Sequence, residues 1–216
     1  METAIRDILA HIDFPIYWPL PLVFWPVPAG LAFWLIFLWA RANEQKIHLR
    51  ERCPNETTVD FDKGSWLLIN YGWRLVRLAA LVIALTTPPW GHGLIRTLLY
   101  CFGLTSMVSG ALLRQHCFRM LGNYFTYTVR VSESNEIVRR GIYRWVRHPS
   151  YTGGMLYNLG ISLTLTNWQS TILIIFGMIV MYVYRVRVEE KALLKVHKTD
   201  YSQYMLQTKR FVPFVF

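Results

Sequence analysis

A chain of 216 residues of which 53% are hydrophobic and 15% aromatic suits one domain and is too apolar for a typical soluble one. The formal charge of +10 does not signal nucleic acid, because the basic residues lie between apolar segments and form no soluble basic face. Cys53, Cys101 and Cys117 form no C-x-x-C pair, and their odd count argues against a disulfide framework or a thiolate metal site.

In chain order, the N-terminus carries Arg6 alone beside Glu2, Asp7 and Asp13, with no small-residue cleavage site after a short apolar core. No signal peptide is expected. Five segments approach the roughly 20 apolar residues that a bilayer demands: 17–40, 66–87, 92–113, 151–166 and 168–184. The charge-free run around the first, 14–40, holds Pro15, Pro19, Pro21, Pro26 and Pro28, each lacking a backbone donor, so its start is expected to be irregular or kinked. The last two are short and meet at Asn167, which predicts a tight helical hairpin.

Nineteen of the 23 Lys and Arg residues fall in the segments 41–65, 114–150 and 185–216. The positive-inside rule then predicts five crossings with the N-terminus outside and the C-terminus cytoplasmic. Arg74 and Arg77 are exceptions inside the second segment. Their three-residue spacing puts them on one helix face, where they snorkel or meet an anionic lipid or substrate.

The cytoplasmic segments carry the chemistry. Arg114 to Gly122 continues the third helix to a glycine cap, Tyr124 to Val131 alternates as an extended segment does, and Gly141 marks a turn. Pro149 biases His148 away from helical geometry and starts the next helix well, so backbone donors at that helix N-terminus face an anionic group. Tyr143, Arg147, His148 and Tyr151 gather aromatic surface and donors there, and Gly153-Gly154 permits close approach of a backbone or ligand. Beyond the last segment, Arg185 and Glu189 lie four apart on a helix and share a face. Charged groups converging at the mouths of membrane helices are costly to desolvate, which marks a functional site; an ordinary intrahelical ion pair would account for the spacing of that pair alone.

The ordered pattern Gly141-x-Tyr143-x-x-x-Arg147-His148-Pro149-x-Tyr151-x-Gly153, a span pair, Arg185-x-x-x-Glu189-Glu190-x-x-Leu193, then Tyr201-x-x-Tyr204 and Val212-Pro213-Phe214-Val215 resembles the isoprenylcysteine carboxyl methyltransferase family. It is more distantly similar to membrane phospholipid N-methyltransferases. The resemblance covers nearly half the chain, from Leu121 onward. It implies an all-α polytopic membrane bundle of one domain, 1–216, with N-terminal spans in 1–113 and a catalytic half in 114–216 that forms a cytoplasmic cofactor pocket.

It further implies S-adenosylmethionine as cofactor without a dinucleotide-binding domain, and the chain has no Gly-x-Gly-x-x-Gly after a strand. By the family pattern the cofactor contacts Asn135, Glu136, Ile137, Val138, Tyr143, His148, Pro149, Ser150, Tyr151 and Glu189. Arg185 and Glu189 are the catalytic candidates, with Arg185 facing a lipophilic acceptor that comes from among the membrane lipids. No metal is implied. Five spans resemble the prokaryotic branch and its cytoplasmic membrane. Where the family has an aromatic-aromatic-glycine run, this chain has Val196-His197-Lys198, a departure that bears on the acceptor, so a carboxylate, a thiol or a phospholipid amine all fit. Two other classes predict different outcomes: a sterol-type reductase would bind NADPH, and a membrane assembly factor would use its Arg and Glu clusters only as ion pairs.

Overall fold

The computed structural model describes residues 19–22, 28–50, 59–131 and 136–211. Six α-helices dominate them: α1 (Ala29–Arg50), α2 (Ser65–Thr86), α3 (Gly93–Leu121), α4 (Pro149–Thr164), α5 (Trp168–Val196) and α6 (Lys198–Gln207). Extended pairing among the described residues is confined to a two-residue antiparallel ladder of β1 (Val59–Asp60) with β2 (Arg130–Val131), and a single parallel bridge between Val146 and Lys209. The all-α expectation holds, and the alternating stretch at 124–131 is extended only at its end.

Several helix ends follow local chemistry read from the sequence. Gly122 stops α3 with φ of 54°, a conformation costly for a residue with a Cβ. Pro149 occupies the first turn of α4, with His148 before it in non-helical geometry. Asn167 caps α5 by accepting from the Ser170 N–H at 2.9 Å. Its amide also donates to Thr87 Oγ1 at 2.8 Å, tying the α4–α5 hairpin to the end of α2.

The first expected span differs. Its helix begins only at Ala29, after Pro28, and runs on to Arg50, because Arg41 to Arg50 are mostly good helix formers although polar. Leu20–Leu22 forms a 3-10 turn where the sequence predicted irregular structure. By length and apolarity, α2, α3 and α5 can cross a membrane. The other two expected spans fall short of that measure, since α1 is apolar only up to Ala40 and α4 has 16 residues.

The short helix sits at the centre. α4 packs most extensively on α3 and also contacts α5, so Asn158, Ser162 and Thr164 on it are buried in protein. Two glycine pairs permit that closeness. A Cβ on Gly160 would lie 2.6 Å from the Gly103 carbonyl oxygen, and one on Gly153 would lie 2.8 Å from that of Gly110. Small residues facing each other in this way let membrane helices pack backbone to backbone. Outside, Leu75, Leu78, Leu98, Phe102, Phe176 and Ile179 are exposed and form the apolar surface that a bilayer covers.

Candidate active site

The C-terminal end of α3, the N-terminal end of α4 and the C-terminal half of α5, with the turns between them and α6, enclose a cavity of about 570 Å³. Of the residues singled out by sequence, Glu136, Ile137, Val138, Tyr143, His148, Ser150, Tyr151, Arg185 and Glu189 all line it. Pro149 does not; it is fully buried at the start of α4, where it shapes the turn. Asn135 lies outside the described residues.

A chain of contacts joins the two sequence motifs. The Tyr151 hydroxyl donates to Glu189 Oε2 at 2.6 Å and accepts from Arg185 Nε at 3.1 Å. His148 is buried, stacks on the Tyr151 ring at 5.6 Å between centroids, and places Nδ1 3.9 Å from Glu189 Oε2. The imidazole before α4 and the carboxylate on α5 therefore face one space, as the convergence of motifs predicted. Glu189 keeps 31% of its side chain exposed, so its second oxygen remains open to a ligand.

Arg185 departs from expectation. Nη1 donates to Asp62 and Ser65, Nη2 to the Tyr127 carbonyl, and Nε to Tyr151. Four of its five N–H bonds are thus taken by the protein. A two-pronged grip on a ligand carboxylate is not available in this arrangement; one Nη2 hydrogen remains. The partners come from 34 to 123 residues away in the chain. Asp62 was the one with a sequence signal, an acidic residue ahead of an apolar helix, and its Oδ2 does accept from the Trp66 N–H at 2.9 Å. Burial works to raise the Asp62 pKa, but the Trp66 and Val129 N–H groups, the Ser65 hydroxyl and Arg185 outweigh it and hold the carboxyl below its usual range.

Glu190, next in sequence, faces the other way. It accepts from Arg147 Nε at 3.1 Å and from Arg210 Nη2 at 2.9 Å, with His148 Nε2 3.4 Å away. Arg210 is carried there by a C-terminal strap that runs beside the Arg147-His148 turn. Arg147 N–H donates to the Lys209 carbonyl at 2.8 Å and His148 N–H to that of Arg210 at 3.0 Å. Sequence reading had no signal for this strap.

Two cavity-lining hydroxyls, those of Tyr143 and Tyr201, are buried without an oxygen or nitrogen partner among the described residues. Burial foremost, with neighbouring Cys117 for Tyr143 and the Glu190 and Glu189 carboxylates for Tyr201, pushes both well above the ordinary phenol range. Tyr204 is pushed up to about 12 by burial. All three stay neutral; the Tyr204 hydroxyl already donates to the Tyr143 carbonyl at 2.6 Å, whereas those of Tyr143 and Tyr201, buried without an acceptor, fit a ligand that brings acceptors. Together with the open oxygen of Glu189, they match a cofactor bearing both an amine and hydrogen-bond acceptors.

Residues 101–195 match the family described as Isoprenylcysteine carboxyl methyltransferase (ICMT) family. Protein-S-isoprenylcysteine O-methyltransferase of Saccharomyces cerevisiae is 28% identical over 58% of this chain and 54% of its own length. Protein-S-isoprenylcysteine O-methyltransferase B of Arabidopsis thaliana is 31% identical over 53% of this chain and 59% of its own. The chain thus spans little more than half the length of these curated relatives. A solved structure of the eukaryotic intramembrane Ras methyltransferase ICMT (isoprenylcysteine carboxyl methyltransferase) shares the fold, with a TM-score of 0.57 and 23% identity over 67% of this chain and 53% of that one.

Proposed function

We propose that this chain, whose residues 101–195 match the isoprenylcysteine carboxyl methyltransferase family, methylates a lipophilic acceptor with S-adenosylmethionine as methyl donor. The acceptor is a prenylcysteine-like or other hydrophobic carboxylate that reaches the cavity from the bilayer. The observation that carries this reading is the Glu189–Tyr151–Arg185 chain with His148 beside it, at one mouth of the helical bundle. The distribution of Lys and Arg supports a cytoplasmic C-terminus and an external N-terminus.

When bound, the cofactor would supply a methyl carbon on a cationic sulfonium; transfer to a carboxylate oxygen would exchange the C–S bond for a C–O bond, giving a methyl ester and a neutral thioether. A carboxylate is ionised at neutral pH, so the site needs no general base. None of Tyr143, Tyr201 and Tyr204 could supply one, as all are held neutral. The protein's task is alignment and exclusion of water. Glu189 accepts hydrogen bonds through its open oxygen and Tyr143 donates one, while the stacked faces of His148 and Tyr151 offer a surface for a cation. Arg185 orients the Tyr151 hydroxyl and adds a positive charge to the cavity wall. Its fixed partners make it a positioning group first.

The test is to incubate the purified chain with labelled S-adenosylmethionine and membrane lipid extract, then identify labelled lipid-soluble products by mass spectrometry. A base-labile methyl ester is expected. Label recovered only in amines or thioethers would replace the carboxylate with another acceptor, and no cofactor binding at all would remove the reading.

A further inference from the structure

Outside the family-matched stretch, α2 brings Arg74 and Arg77 to the cavity, and Arg77 is the one held within the bundle. Arg77 lies twelve residues beyond Ser65 on α2, about 18 Å along the helix axis. Its Nε and Nη2 donate to Asn158 Oδ1 at 3.2 and 2.7 Å, and its guanidinium lies between the Trp73 and Tyr157 rings, 5.5 and 5.8 Å from their centroids. Asn158 is held in turn, donating to the Gly154 carbonyl at 2.8 Å. None of this neutralises the charge. Among the described residues Arg77 makes no ion pair, and its Nη1 donates to no group.

The nearby carboxylate is already committed, since Glu44 Oε1 accepts from Arg114 Nε at 2.7 Å. Beside Arg77, Tyr157 is only 7% exposed, lines the same cavity, and its hydroxyl has no hydrogen-bond partner among the described residues. Two donors thus converge, one cationic and one neutral, within a bundle where an uncompensated cation is costly. The balance of the whole wall agrees: seven arginines and three glutamates line the cavity. Asn158 is two helical turns from Tyr151 on the same face of α4, so this pocket adjoins the donor end of the cavity.

We infer that Arg77 and Tyr157, with Asn158 as the splint that aims the guanidinium, form an anion-binding subsite that takes the acceptor's carboxylate. The occupant rests on the methyltransferase reading; the anion selectivity does not. Arg77 is then a specificity-determining residue contributed by the N-terminal half.

The experiment measures equilibrium binding of N-acetyl-S-farnesylcysteine and of its carboxamide to the purified full chain in micelles, with S-adenosylmethionine affinity followed separately. The wild-type chain is expected to prefer the carboxylate by about tenfold, as one charge-assisted contact gives. Arg77→Gln should bring the ratio near one while carboxamide and cofactor affinities hold. Tyr157→Phe removes only a hydroxyl that lacks a partner, so it should leave the melting temperature unchanged or higher and still lower the ratio about threefold. That variant keeps the test open if Arg77→Gln does not fold. A wild-type ratio near one, or a ratio unchanged in either folded variant, overturns the subsite. Arg77-dependent selectivity in a chain that never binds S-adenosylmethionine would instead leave the subsite standing and remove the methyltransferase reading.

Discussion

Glu189 and Glu190 are adjacent in sequence and opposite in circumstance. Glu190 is buried, 6% of its side chain exposed, and shared by Arg147, Arg210 and the His148 ring. Glu189 has one hydroxyl donor from Tyr151 and an open side. A helix turns about 100° per residue, so one step along α5 moves a carboxylate from a sealed joint to the wall of a cavity. Identical chemistry therefore does two jobs: Glu190 binds the strap to the His148 turn, and Glu189 is left with capacity for a ligand.

The contrast can be broken most strongly at the joint. Glu190→Ala leaves the Arg147 guanidinium buried without its carboxylate, and a loss of about 3–5 kcal/mol is expected, read as a large drop in melting temperature with or without cofactor. Glu189→Gln should act on binding instead. Its melting temperature stays near wild type while S-adenosylmethionine affinity measured by calorimetry falls about tenfold. A large fall in stability there would assign Glu189 to the structural joint as well.

Asp62 sharpens the comparison from a third side, because it holds Arg185 rather than the strap. Its folded pKa is depressed, so its contribution to stability is fully present above the ordinary value of 3.8 and is lost as pH falls through the lower folded value. Melting temperature followed from about pH 6 to about pH 3 should fall in wild type, and Asp62→Asn should flatten that acid limb. The smallest effect belongs to Arg210→Ala. Arg210 is 42% exposed, and Glu190 keeps its Arg147 contact, so about 1 kcal/mol or less is expected by chemical denaturation.

What was legible in the sequence was the part set by near neighbours. Gly122, Pro149 and Asn167 end or begin helices by their own backbone and side-chain chemistry, and the four-residue spacing of Arg185 and Glu189 put both on the cavity wall. Contacts between distant segments left no local trace. The engagement of Arg185 by Asp62, Ser65 and Tyr127, and of Glu190 by Arg210, depends on how helices and strap assemble. Even the reach of α1 was misjudged, because apolar length was read as helix length while the helix continues through Arg41 into a polar half.

The glycine pairs that join α3 to α4 carry a mechanical consequence. Sliding either helix by one residue would drive a side chain into a facing carbonyl, so the two can tilt together in thicker or thinner lipid but cannot shear. The positions of His148 and Tyr151 at the start of α4 are thereby gauged by α3, so the cavity wall they form keeps its place on the bundle when the helices tilt.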